Sequence, residues 1–134
     1  MLRPAAPADL TRIVAIRDGS GGDALSDPAP VSEDALRRLV AAGAVTVWDD
    51  AGVIAGFAAV DGGAIHILVD AAQRSRGIGR ALLGWACDTT KRAGCAEARL
   101  VLPPGGTAES HYRAAGWKDA GWSASGGLVL KKPL

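Results

Sequence analysis

A short basic stretch with two glycines is the part of the sequence best suited to bind a ligand. Residues 74–80 read RSRGIGR and lie directly before an apolar pattern with helical spacing. The arginines repel one another and glycines weaken a helix, so local stability does not explain this choice of residues. Glycines let backbone amides come close to a ligand, and a helix N-terminus offers unpaired N–H groups and the positive end of its dipole. The stretch therefore predicts a binding site for an anion such as a diphosphate.

The short glycine motif has other interpretations. A dinucleotide-binding fingerprint, G-x-G-x-x-G, would need glycine where Leu82 stands, and the elements expected upstream form a meander rather than a strand followed by a helix. The Walker motif G-x-x-x-x-G-K-[ST] is absent from the chain. A cluster of surface arginines beside an ordinary glycine turn stays open as a structural interpretation.

The elements that must position this stretch follow from hydrophobic spacing and from breaker residues. In chain order we expect helices over 7–18 and 32–43, strands on both sides of the turn 49–52, a strand over 64–70, a helix over 78–93, a strand over 96–102, a short helix over 107–116 and two strands around 125–127. The first three strands predict an antiparallel meander. The strand, helix, strand unit that follows predicts a parallel pair, 64–70 beside 98–102, at the centre of the sheet. The expected fold class is α+β in α/β/α layers, with a mixed, mostly antiparallel sheet.

Length, charge and cysteine content limit the class of protein. A chain of 134 residues, with 49% hydrophobic and 22% charged residues, fits one domain, 1–134, that can bury a core without disulfides or metals. Cys87 and Cys95 lie eight residues apart without a metal-binding or disulfide pattern, and neither a run of 18 apolar residues nor a signal-peptide core occurs. The net charge of +1 gives no argument for a nucleic-acid or membrane partner. We therefore expect a cytoplasmic protein that needs no metal.

An acidic stretch precedes the second expected helix. Residues 18–36 contain five acidic side chains and no lysine or arginine. One interpretation is a solvated loop and a helix start, because acidic side chains favour turns and helix N-termini. The other interpretation is a rim that attracts a cationic substrate, and the sequence leaves both open.

Two motifs resemble the GNAT superfamily of N-acetyltransferases. Residues 74–79 match its acyl-coenzyme A motif, Q/R-x-x-G-x-G/A, and the preceding ILVDAAQ is similar to the end of a family strand, with Ala71 in place of a common proline. TAESHYRAAGW, at 107–117, resembles the second family signature and includes Tyr112. The family often has a cofactor-binding asparagine at the position of Gly105, so we infer no contact there. The resemblance covers nearly the whole chain, although the first 60 residues carry no diagnostic motif.

The resemblance implies a GNAT-like acyl-coenzyme A N-acyltransferase fold, in which the central parallel strands splay apart and acetyl-coenzyme A lies between them. Pantetheine would pair with the backbone of Ile67, Leu68 and Val69 like an added strand. The residues implied for the pyrophosphate are Arg74, Ser75, Arg76, Gly77, Ile78, Gly79 and Arg80. The implied reaction is transfer of the acetyl group to a primary amine of a small molecule or peptide by direct attack.

Tyr112 is the candidate catalytic residue, as an acid that assists the leaving thiolate. Ordinary pKa values of about 10 for tyrosine and about 8.5 for a thiol make complete proton transfer uphill by about 2 kcal/mol, so we expect mainly a hydrogen bond. Packing of the short helix is the structural alternative for this side chain. The general base is not assigned, and His66, His111, Glu97 and Glu109 are its candidates.

Two alternative functions remain beside acetyl transfer. One is a non-catalytic acyl-coenzyme A-binding sensor or assembly module, and the other is a nucleotide-dependent enzyme. The sequence does not determine the acceptor amine, the range of acyl groups or the oligomeric state, for which the family suggests a homodimer through the terminal strands. Trp48 and Trp122 are candidates for the border of an acceptor pocket.

Overall fold

The computed structural model describes residues 1–19, 31–73, 77–103, 109–124 and 126–134. Three of the predicted pyrophosphate-binding residues, Arg74, Ser75 and Arg76, lie outside these ranges. Most of the acidic stretch and the N-terminal end of the short helix expected over 107–116 lie outside them as well.

The described ranges contain seven strands, four α-helices and two 3₁₀ turns. In chain order they are β1 (Leu2–Pro4), a 3₁₀ turn (Pro7–Asp9), α1 (Leu10–Asp18), α2 (Glu33–Ala41), β2 (Val45–Asp50), β3 (Val53–Asp61), β4 (Ala64–Val69), a 3₁₀ turn (Ala71–Gln73), α3 (Ile78–Arg92), β5 (Glu97–Leu102), α4 (Glu109–Ala114), β6 (Lys118–Trp122) and β7 (Leu128–Pro133). This order matches the sequence-based prediction except for β1, which the hydrophobic pattern did not indicate because it is only three residues long.

The strands form one mixed sheet in the order β1-β2-β3-β4-β5-β7-β6. Every neighbouring pair is antiparallel except β4 and β5, which are parallel and are connected through α3. The predicted meander of β2, β3 and β4 and the predicted central parallel pair are therefore confirmed.

Two buried clusters cover the two faces of the sheet. One cluster contains Ile67 and Val69 of β4 together with Leu82 of α3 and residues of α4. The other contains Leu68 of β4 with residues of α1, α2, β2 and β3. Because successive side chains of a strand point to opposite faces, β4 contributes to both clusters. The helices thus form layers on both sides of the sheet, which confirms the α/β/α arrangement.

The N-terminal strand is tied to the sheet and to the first helix by ion pairs. The guanidinium of Arg3 donates to the Asp9 carboxylate at 2.8 Å and to the Asp49 carboxylate at 2.7 Å. The hydrogen bond from Arg3 lowers the pKa of Asp9 below its usual value. The Asp9 carboxylate also accepts from the Ala6 N–H at 2.8 Å, and it does not cap α1.

No helix in the part of the chain that the structure describes is both long and apolar enough to cross a membrane.

Candidate active site

The parallel strands β4 and β5 are paired only where they begin. Ala64 lies opposite Arg99, and the Arg99 N–H donates to the Gly63 carbonyl at 2.9 Å. Each strand has six residues, but over the described residues their ladder contains this single pair. Beyond Ala64, β4 is paired along β3 and β5 is paired along β7. The centre of the sheet therefore has the splayed form that a ligand lying between two strands requires.

Hydrogen bonds at the two ends of β4 establish which of its backbone groups point toward this opening. The Asp70 N–H donates to the Ala55 carbonyl of β3 at 2.8 Å, whereas the Gly63 carbonyl is bonded to β5. Since the backbone groups of successive strand residues point to opposite neighbours, odd-numbered residues of β4 face β5 and even-numbered residues face β3. Ile67 and Val69 consequently direct their N–H and C=O groups toward the opening.

Leu68 points its backbone groups the other way. It lies opposite Phe57 of β3, and its side chain is fully buried on the α1 and α2 face. The alternation along β4 thus narrows the predicted pantetheine contacts from three residues to Ile67 and Val69. The proposed pairing with the cofactor stays a prediction at these two positions.

The chain leaves β4 through a turn that is organised by Asp70. Its carbonyl accepts the Gln73 N–H at 2.8 Å, and its carboxylate accepts the Ala72 N–H at 3.2 Å. The same carboxylate pairs with Arg12 of α1 at 2.5 Å. The Arg12 Nε also donates to the Ile54 carbonyl at 3.1 Å. A residue of α1 therefore holds the adjoining ends of β3 and β4.

The helix α3 begins after a glycine with a left-handed backbone, a conformation that glycine adopts more easily than other residues. Gly77 has φ of 78° and ψ of 4°, and a Cβ added there would meet nothing within 4 Å. Among the described residues no side chain caps this helix and none in its first turn is acidic. The backbone N–H groups from Gly77 to Arg80 suit a diphosphate, because they can donate hydrogen bonds at the positive end of a helix dipole. Gly77, Gly79 and Arg80 therefore fit the predicted anion site, and the side chain of Ile78 is buried and anchors the helix.

A second glycine lets α3 lie close to this part of the sheet. A Cβ on Gly56 of β3 would stand 2.9 Å from the Leu68 carbonyl oxygen and 3.2 Å from a methyl carbon of Leu82. A glycine inside a strand often marks a position where another backbone or a ligand comes close, so this residue could have been found from the sequence. Gly56 sets the packing of β4 against β3 and of α3 on the sheet.

Tyr112 lies in the buried cluster between the sheet and the two helices on its α3 side. Its side chain is 1% exposed, and its ring packs edge-on against Trp117 with centroids 5.8 Å apart. Burial, with a smaller contribution from Cys87 of α3, raises the pKa of the hydroxyl well above its usual value. The hydroxyl is therefore protonated at neutral pH and is a hydrogen-bond donor rather than an acid that gives up its proton.

The structure distinguishes among the candidates for a general base. His66 lies on β4 opposite Ala59, and burial lowers its pKa below its usual value, so the imidazole is neutral at pH 7 and able to accept a proton. His111 stacks edge-on against Tyr112, with ring centroids 6.1 Å apart. Glu109 is paired with Arg113 at 2.6 Å, which occupies its carboxylate. Glu97 begins β5 at the end of the sheet where β4 and β5 are still paired.

Two residues of this region were not identified from the sequence. For Gly56 the sequence carries a signal, which is a glycine inside a strand. Arg12 carried none, because it lies 58 positions from Asp70 and only the fold brings the two together. In the described ranges, no group of three or more histidine, cysteine or acidic side chains is placed to hold a metal ion.

Several solved structures have the same fold. The PaiA N-acetyltransferase from Thermoplasma acidophilum, in complex with coenzyme A, superposes with a TM-score of 0.74 and 16% identity, over 100% of this chain and 98% of that chain. The ribosomal-protein-alanine N-acetyltransferase from Brucella melitensis gives 0.76 and 19%, over 100% and 99%. The GNAT superfamily phosphinothricin acetyltransferase from Sinorhizobium meliloti, in complex with acetyl-coenzyme A, gives 0.76 and 25%, over 100% and 88%.

Sequence comparison assigns the family. No curated protein sequence matched the chain. The sequence model of the acetyltransferase (GNAT) family matches residues 15–117, a range that runs from α1 to the residue before β6 and includes both motifs. The chain belongs to the GNAT family of acetyltransferases.

Proposed function

We propose that the protein transfers the acetyl group of acetyl-coenzyme A to a primary amine of a small molecule or peptide by direct attack. The observation that carries this proposal is the opening between β4 and β5, bordered by the backbone of Ile67 and Val69 and followed by the start of α3, which no described side chain caps. Such a surface suits an extended ligand that pairs with a strand and ends in a diphosphate. The complexes of related structures with coenzyme A and acetyl-coenzyme A support this choice of ligand.

Each part of the site has a proposed role. The amides of Gly77, Ile78, Gly79 and Arg80 hold the pyrophosphate, together with the preceding Arg74, Ser75 and Arg76. Acetyl-coenzyme A supplies the acetyl thioester. A backbone N–H of Ile67 or Val69 donates to the oxygen that gains negative charge when the amine attacks, which is the form of stabilisation that fixed backbone dipoles supply best.

The remaining chemistry is movement of protons. An alkylamine with a pKa of about 10.4 is mostly protonated at pH 7, so a base must remove a proton before attack. We assign this role to His66, whose buried imidazole is neutral at pH 7, directly or through water. Tyr112 donates a hydrogen bond to the departing sulfur, and its raised pKa favours this role over full proton transfer.

The test is release of the coenzyme A thiol from acetyl-coenzyme A with a panel of small primary amines and of peptides with free N-termini or lysines. We expect thiol release that depends on the amine and an acetylated product of the corresponding mass. Binding of acetyl-coenzyme A without turnover of any amine would contradict the proposal and favour the non-catalytic binding module.

A further inference from the structure

We propose that the acceptor is an acidic peptide, which binds to a row of basic side chains on the face of the sheet that carries His66. The row consists of Arg99 of β5, Lys131 of β7 and Lys118 of β6, and it is called the basic row below. The proposal rests on the proposed function, because it names the substrate class of the same site. Its argument is the position and the charge of the row.

The basic row lies on the face of the sheet that is turned away from α3 and α4. Leu100 of β5 and Leu130 of β7 belong to the buried cluster on the α3 side. Because successive side chains of a strand alternate between the two faces, Arg99 and Lys131 point to the other face. Lys118 lies directly opposite Lys131 in the ladder of β6 and β7, so it shares that face.

This part of the sheet face is open in the structure as described. Arg99, Lys118 and Lys131 are all exposed, and the buried cluster on the α1 and α2 face contains no residue of β5, β6 or β7. In the described ranges none of the three forms an ion pair with an acidic side chain. Glu97 is the acidic residue of β5 on this face, so three positive charges stand against one negative charge.

Stability of the sheet does not explain the row. Arg99 lies opposite Lys131, and Lys131 lies opposite Lys118. Like charges directly opposite each other destabilise a pair of strands, whereas an anionic ligand lying across them would relieve the repulsion. Neighbouring strands are about 4.8 Å apart, which spreads the three positive charges over about 10 Å. This spread suits several carboxylates along an extended peptide better than one small anion.

The basic row reaches β4 near the assigned base. A Cβ on Gly63 would stand 3.2 Å from Nη1 of Arg99, so this guanidinium lies over the residue before β4. His66 lies opposite Ala59, a member of the buried cluster on the α1 and α2 face, and its side chain is therefore on the face of the row. Three residues of strand separate Gly63 from His66, a distance of about 10 Å. A peptide whose amine lies at His66 thus places its third and following side chains over the row.

Binding tests the row without any turnover. The probes are a hexapeptide of two alanines followed by glutamates and the same hexapeptide with glutamines in place of the glutamates, titrated calorimetrically in the presence of coenzyme A. We expect the glutamate peptide to bind more tightly than the glutamine peptide. Its Kd should rise about two- to fivefold in Arg99→Gln or Lys131→Gln, and about tenfold in the double variant.

The matched control is Lys91→Gln. Lys91 is exposed in the last turn of α3, on the other side of the sheet, so this variant removes one positive charge without touching the row. The Kd of the glutamate peptide should stay unchanged in it, because salt at physiological ionic strength screens exposed charges beyond about 8 Å.

Kinetics connects the row to acetyl transfer. Both peptides are supplied with a free N-terminus, or with a capped N-terminus and a lysine at the first position, so that both kinds of primary amine are tested. Lys131→Gln should raise the KM of the glutamate peptide about two- to fivefold, with little change in kcat or in the KM of the glutamine peptide. Lys131→Glu should reverse the preference toward the same peptide with arginines in place of the glutamates.

Four results separate the possibilities. Equal affinity of the wild-type protein for the glutamate and glutamine peptides would overturn the proposal. Free glutamate that binds as tightly as the peptide would identify a small anionic amine and would overturn it as well. A lower Tm of Arg99→Gln and Lys131→Gln with unchanged affinity would do the same, since the row would then pair with acidic side chains of the chain itself. Preference for the glutamate peptide without acetylation of any amine would support the binding role of the row and contradict the proposed function.

Discussion

At the scale of single residues, the protonation states of Tyr112 and His66 limit what each can do. Both pKa shifts are caused mainly by burial, which disfavours the charged form of either group. The pKa of tyrosine rises and that of histidine falls, so both side chains are neutral at pH 7. A neutral hydroxyl donates a hydrogen bond and a neutral imidazole accepts a proton, which is the pair of functions that amine acetylation requires.

Replacing Tyr112 by phenylalanine tests the first of these roles. The variant keeps the edge-on packing against Trp117 and removes only the hydroxyl. We expect kcat to fall by a factor of about 10 to 100, with little change in the KM for acetyl-coenzyme A. Because the pKa of the hydroxyl is raised above its ordinary value, ionisation of Tyr112 should cause no loss of wild-type activity between pH 7 and about pH 10. Initial rates from pH 6 to 10 measure both effects, and an unchanged kcat would leave Tyr112 a packing residue.

At the scale of elements, the site depends on how β4 ends and how α3 begins. The alternation of β4 presents Ile67 and Val69 to the opening, Asp70 turns the chain, and the positive φ of Gly77 starts the helix. These are backbone features, so they explain why a ligand can be recognised here without many specific side chains.

The start of α3 can be tested with two glycines of the same helix region. In Gly77→Ala the new side chain has space, but the left-handed backbone costs about 1–2 kcal/mol and the first amides must shift. We expect affinity for coenzyme A to fall by about tenfold. The matched control is Gly84→Ala, where the added Cβ also meets nothing within 4 Å but the backbone is helical, so stability should rise by about 0.5–1 kcal/mol. Isothermal titration of both variants provides the comparison, and equal affinities would argue against an amide-based diphosphate site.

At the scale of the whole molecule, a ligand that bridges β4 and the start of α3 links two parts of the fold and should stabilise it. At a free concentration 100 times its Kd, coenzyme A should stabilise the folded state by about 2.7 kcal/mol. For a domain of this size the Tm should rise on the order of 10 °C. Scanning calorimetry with coenzyme A, with NAD and ATP as controls, measures the shift. A rise with NAD or ATP and none with coenzyme A would favour a nucleotide-dependent enzyme.

The sequence by itself determined the family and the order of the elements from α1 to β7, and it predicted the place of the anion site. These follow from local information: the spacing of apolar residues, breaker residues at element ends, and glycines beside arginines before a helix. Hydrophobic periodicity also placed β4 and β5 side by side, because a strand, helix, strand unit has few ways to close.

Only the tertiary structure decided which atoms meet. In the folded chain the backbone of Leu68 pairs with β3, and burial raises the pKa of Tyr112. Arg12 contacts Asp70, although the two lie 58 positions apart in the chain. Register, burial and long-range ion pairs depend on how all elements pack at once, and no local pattern encodes them. The three-residue strand β1 was missed for the same reason, since its pairing with β2 rather than its own composition makes it a strand.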